Sequence, residues 1–103
     1  MIDQKLSRDF WLREFCFSDM AVRIGRAIDP TADELSNISM LVGQVMQPIR
    51  TSLARPISIT SGLRPAWLNS AIGGSITSEH VDGRACDFKV VGLTPYQVCQ
   101  WIS

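Results

Sequence analysis

The chain holds a single histidine, His80, and a carboxylate, Asp87, follows it seven positions later. Imidazole nitrogen and carboxylate oxygen together form a mixed donor set of the kind that suits Zn²⁺. Gly83 lies between them and lets the chain turn tightly, so that both side chains can converge on one ion. Ala85, two residues before Asp87 on the same face of an extended chain, leaves room beside the carboxylate. A His and an Asp at this spacing are more often a hydrogen-bonded pair, or two solvated loop residues, than metal ligands. Glu79 and Asp82 flank His80, but nothing in the sequence turns them toward it. The three cysteines, Cys16, Cys86 and Cys99, are odd in number and lack C-x-x-C spacing, which excludes a thiol zinc knuckle and a disulfide framework. They are expected as buried free thiols, with Cys16 or Cys99 a conceivable third metal ligand.

The elements that must carry these residues are legible in outline. Leu35, Ile38, Val42, Val45 and Ile49 recur at steps of three and four, widened by Leu41 and Met46. This is an amphipathic helix opened by Asp29-Pro30-Thr31, with Asp33 and Glu34 in its first turn. Pro48 is expected to kink or end it. Residues 56–60 alternate apolar and polar and predict a half-buried strand ended by Gly62. Pro65 then starts a short helix, Ala66 to Ala71, closed by Gly73-Gly74. Thr77 to Gly83 reads as loop. Arg84 to Val91 reads as a second strand, with Ala85, Asp87 and Lys89 on one face and Cys86, Phe88 and Val90 on the other. Thr94-Pro95 caps a last helix carrying Tyr96, Val98, Cys99 and Ile102. Near the start, Phe10 to Phe17 predicts an irregular segment or short strand, and Ser18-Asp19 a helix from Met20 to about Gly25.

At 103 residues and 46% hydrophobic, the chain suffices for one small domain with one modest core. Ten basic residues balance ten acidic ones, which argues against a general nucleic-acid binder or an anionic-membrane binder. The longest uncharged run, Leu35 to Ile49, falls short of the roughly 20 apolar residues that span a bilayer, so no membrane insertion is expected. The first residues lack the layout of a signal peptide, so synthesis in the cytoplasm is expected.

Ser78-x-His80-x-x-Gly83-x-Ala85-x-Asp87 resembles the SxHxxGxAxD signature of the zinc peptidases of bacterial cell walls, the D-alanyl-D-alanine carboxypeptidases and phage L-alanyl-D-glutamate endopeptidases. Five such positions arise by chance in a chain this long on the order of a few times in 100,000, from average residue frequencies. The resemblance continues upstream. Ile59-Thr60-Ser61-Gly62-Leu63-Arg64-Pro65 is similar to the family's "ITSGYRS" strand and turn, followed by Leu68-Asn69 and Gly73-Gly74-Ser75. Gln47-Pro48-Ile49-Arg50 resembles the end of its long helix, and Phe17 to Ala21 its amino-terminal segment, so that about Phe10 to Ile102 is covered.

The resemblance implies an α+β fold shared with the hedgehog signalling domain, with helices packed on a small, mainly antiparallel sheet and the site in a cleft on the sheet's open face. It implies His80 and Asp87 as the first two Zn²⁺ ligands. Arg64 would hold a substrate carboxylate or polarised carbonyl, and Ser78 would orient the ligand loop or contact substrate. Leu63 stands where the family usually has Tyr, so any hydrogen bond of that phenol is lost. The substrate implied is a peptidoglycan stem peptide. The family mechanism also needs a general-base Glu and a second His, placed after the helix with which this sequence closes. Residues 1–103 are therefore expected to form one peptidase-like domain shortened at its carboxyl end. The alternative is a catalytically deficient homologue serving as a cell-wall-binding module or as a structural or partner-binding piece of a phage particle. A sheet lacking its last strands would expose an edge, from which self-association or pairing with a second chain is expected. A phage-encoded protein released to the wall, or carried in a virion, fits these first residues.

Overall fold

In the computed structural model, which describes residues 3–74 and 78–102, helices pack on two small antiparallel sheets, an α+β arrangement. The first sheet is a hairpin of β1 (Lys5–Ser7) and β2 (Phe10–Trp11). A single helical turn, α1 (Leu12–Phe15), follows directly, so the stretch expected as an irregular segment or short strand holds the short strand β2 and a turn that was not foreseen, because four residues set up no periodic pattern. Phe10, Leu12 and Phe15 are all buried, with the two phenyl rings 6.0 Å apart and tilted by 58°.

Helix α2 (Asp19–Ile24) starts where Ser18 accepts a hydrogen bond from the Ala21 amide, and it ends at Gly25 in the left-handed region. Thr31 and Glu34 form a reciprocal capping box that opens α3 (Ala32–Leu41). The helix does not stop at Pro48. It passes through a π-turn, Val42–Met46, in which the Gln47 amide donates to the Val42 carbonyl, and continues as α4 (Gln47–Leu53). The wider turn accommodates the proline, which has no N–H and whose ring would crowd the carbonyl of an ordinary preceding turn. Ile38, Val42 and Met46 face the core, whereas Val45, expected on the apolar stripe, is turned to solvent. Gln47 lies where this helix meets the hairpin. Its carbonyl accepts from Ser7 Oγ (2.5 Å) and the Asp9 amide (3.0 Å), and its amide donates to Asp9 Oδ2 (2.7 Å). That last hydrogen bond helps to hold the Asp9 carboxyl below the usual carboxylate range.

The second sheet pairs β3 (Ile57–Ser61) with β4 (Asp87–Val90), Ile57 opposite Val90 and Ile59 opposite Phe88. An irregularity between Ile59 and Ser61 brings Ser61 opposite Asp87. β4 is shorter than the strand expected from Arg84, because the Arg84 amide is taken by Glu79 O in a turn rather than by a neighbouring strand. Within β4 the expected alternation is seen, Asp87 and Lys89 exposed, Phe88 half-buried and Val90 buried. Helix α5 (Ala66–Ala71) buries Leu68 and Asn69. Helix α6 (Pro95–Ile102) begins with a reciprocal Thr94–Gln97 capping pair. Val98 is buried and Tyr96 is 71% exposed. Among the described residues no helix is long and apolar enough to cross a membrane.

Candidate metal centre

The stretch 75–77 that leads into the motif lies outside the described residues, and with it Ser75 and Thr77. From Ser78 onward, what was expected as loop contains a 3₁₀ turn, Glu79–Asp82. Ser78 Oγ caps this turn by accepting from the His80 amide at 3.3 Å. Gly83 closes it at φ +77°, where a residue with a β-carbon is strained. A β-carbon at Gly83 would also come within 3.0 Å of the Ile38 side chain, so the turn lies directly on α3. Asn37, from the polar side of α3, donates from Nδ2 to the Asp82 carbonyl at 2.9 Å. A short polar loop is thus held against the longest helix, and β4 departs from it at once.

This support brings the two residues of interest together. His80 Nε2 lies 3.6 Å from Asp87 Oδ2. The separation is too long for a hydrogen bond. It is close to the ~3.3–3.5 Å expected between two donors sharing one tetrahedral zinc, given zinc–nitrogen and zinc–oxygen bonds of about 2.0–2.2 Å. The imidazole is sheltered, its side chain 12% exposed, whereas the Asp87 carboxylate is 66% exposed and open to solvent. The other ring nitrogen, Nδ1, is 2.9 Å from the Gly62 carbonyl oxygen. A ligating imidazole anchored through its second nitrogen is the usual arrangement at metal sites. The donor types and their spacing therefore fit a Zn²⁺ ion.

Among the described residues no third His, Cys, Asp or Glu joins the pair. Glu79 and Asp82 are exposed on the turn, and neither Cys16 nor Cys99 makes up a three-donor group with His80 and Asp87. Burial pushes the Cys16 thiol up to about 12 and that of Cys86 to about 11, far from the thiolate form a metal needs. Cys99, expected buried with the others, is exposed.

Arg64 is tied to the same turn through its backbone, its amide donating to the His80 carbonyl at 2.8 Å. Its Nε is buried and has no hydrogen-bond partner among the described residues. Arg64 borders a cavity of about 180 Å³ that is also lined by Ser18, Asp19, Thr60 and Ser61. Leu63, at the family's tyrosine position, is buried in the core. A larger concavity, about 850 Å³, lies between β4 and α6, and none of Arg64, Ser78, His80 and Asp87 lines it. Asn37 and the Gly62 carbonyl were not singled out from the sequence. A polar residue on a solvated helix face and a main-chain oxygen carry no local signal of what they will meet.

No curated protein and no solved structure matches the chain. A family model does, and with residues 10–102 matched to Peptidase M15, the chain belongs to that family of zinc-dependent metallopeptidases.

Proposed function

We propose that this chain is a zinc peptidase domain acting on peptidoglycan stem peptides, of the DD-carboxypeptidase or L-alanyl-D-glutamate endopeptidase type. The observation that carries the reading is the 3.6 Å approach of His80 Nε2 to Asp87 Oδ2, a sheltered nitrogen and an open carboxylate spaced as two ligands of one cation. His80 and Asp87 would hold Zn²⁺, which supplies Lewis acidity toward a carbonyl and toward bound water. Asp87, open to solvent, leaves the ion accessible to a peptide. Arg64 would hold a substrate carboxylate through the forked donors of its guanidinium. Ser78, through its bond to the His80 amide, keeps the ligand turn in place. Catalytic zinc normally has three protein ligands. The reading therefore requires a further ligand and a general base, the second His and the Glu that the family resemblance implies, from residues other than these.

The second reading is a homologue that binds cell-wall peptide, or a partner in a phage particle, without cutting. It is favoured by the lack of a third donor beside His80 and Asp87 among the described residues. Zinc titration by calorimetry, with and without His80→Ala, followed by mass spectrometry of muropeptides incubated with zinc-loaded protein that includes the residues supplying the second His and the Glu, separates the two. The peptidase reading expects zinc binding at least tenfold weaker in the variant, and loss of D-alanine or scission after L-alanine in the peptides. Zinc and muropeptide binding without any cleavage would establish the second reading, and no zinc binding at all would defeat the first.

A further inference from the structure

The segment just after β3 holds His80 by both its ring and its main chain. The Gly62 carbonyl lies 2.9 Å from His80 Nδ1, and two residues on, the Arg64 amide donates to the His80 carbonyl at 2.8 Å. Between them, the Leu63 amide donates to the Phe15 carbonyl at 2.7 Å, so α1 grips the same three residues from the other side. Gly62 is buried at the centre of this arrangement. A β-carbon there would lie 2.6 Å from Phe15 Cα, a separation that real side chains do not show. Only glycine lets the two backbones come this close.

A carbonyl oxygen can only accept, so the hydrogen bond to Gly62 places the ring proton on Nδ1 and leaves Nε2 with its lone pair. Nε2 is the atom that faces Asp87. We propose that Gly62 is a positioning residue. Packed against Phe15, it fixes the tautomer and ring orientation of His80 so that a free lone pair is presented beside Asp87 before any cation arrives. The cation's identity rests on the zinc reading above; the tautomer does not. A ring free to choose its tautomer and rotamer would lose part of its binding free energy to that selection, and loss of such outer-shell support typically costs 10–100-fold in metal affinity.

Because His80 is the only histidine, its two ring nitrogens can be read without ambiguity in a long-range ¹H–¹⁵N correlation spectrum. In metal-free protein with the ring in its neutral form, the expected result is a protonated Nδ1 and a bare Nε2. A predominant Nε2–H form would overturn the proposal. Gly62→Ala, with its circular dichroism spectrum retained, should lose the Nδ1–H preference and bind zinc about 10–100-fold more weakly. A folded Gly62→Ala protein with unchanged tautomer and unchanged zinc affinity would overturn it as well. If that variant does not fold, the wild-type tautomer and the nitrogen shifted by zinc decide: Nδ1–H with zinc at Nε2 supports the proposal, zinc at Nδ1 refutes it. An Nε2–H ring with tight zinc binding sinks this inference alone, whereas an Nδ1–H ring with no zinc binding sinks the zinc reading alone.

Discussion

His80 and Asp87 meet because a four-residue 3₁₀ turn, held on the face of α3 around Ile38 and Asn37, is followed closely by β4, which β3 pairs from its first residue. The residue types and their spacing were readable as a possible metal pair, and the need for a tight turn at Gly83 was readable too. The atom that orients the ring was not, since any residue at position 62 would present a carbonyl and only the packing against Phe15 demands glycine there. The cysteines show the same division. Their number and spacing excluded zinc knuckles, but three thiols of equal standing in the sequence have unequal surroundings in the fold. Cys16 and Cys86 are half-buried, with thiols raised to about 12 and about 11 by desolvation, and Cys99 is exposed on α6. At pH 8 the thiolate fraction of the first two is on the order of one in a thousand or less, from those values. In the folded protein an alkylating reagent at that pH should therefore modify Cys99 first, leaving Cys16 and Cys86 at least tenfold slower. Peptide mapping by mass spectrometry after timed quenching checks the order, and equal rates at all three would contradict it.

Among the elements, those with chemical punctuation were the legible ones. Ser18, Thr31 and Thr94 each sit at the amino-terminal end of a helix and accept or exchange hydrogen bonds with its first turn, as their types indicate. Pro48 was read correctly as a disturbance and incorrectly as a possible end. A π-turn absorbs it, and the register after Val42 places Met46 inward and Val45 outward. Such a turn is not encoded locally, since it is chosen by how the rest of the helix packs. The far end of α4 is punctuated by Ala54, which adopts φ +52° in a position where glycine is favoured. An L-residue pays about 1–2 kcal/mol in that region, partly offset by the greater chain entropy of glycine in the unfolded state. Ala54→Gly should accordingly stabilise the fold by ~0.5–1 kcal/mol, seen as a higher urea midpoint at unchanged slope. A lower midpoint would mean that the methyl group makes compensating contacts.

At the scale of the molecule, the site joins segments distant in sequence: α1 through Phe15, the segment just after β3 through Gly62 to Arg64, α3 through Asn37, and the turn that carries His80. An ion held between His80 and the first residue of β4 would tie the turn to the sheet and bind only the folded state. Zinc at about 100 times its dissociation constant should then raise stability by about 2.7 kcal/mol, or on the order of 10 °C in melting temperature for a domain of this size. A chelator should reverse the gain, and His80→Ala should abolish it. A melting curve that zinc moves equally in wild type and variant would place the ion elsewhere. The sequence by itself determined most of the longer helices, the strands β3 and β4 and the residue types able to bind a cation, because periodicity, caps and donor chemistry are local properties, and its resemblance to a family implied the α+β class. Only the tertiary structure decided that Nε2 rather than Nδ1 faces Asp87, that Val45 turns outward, and that Gly62 must be glycine. Those outcomes depend on which backbone lies against which, and contacts between residues far apart along the chain leave no mark in its local pattern.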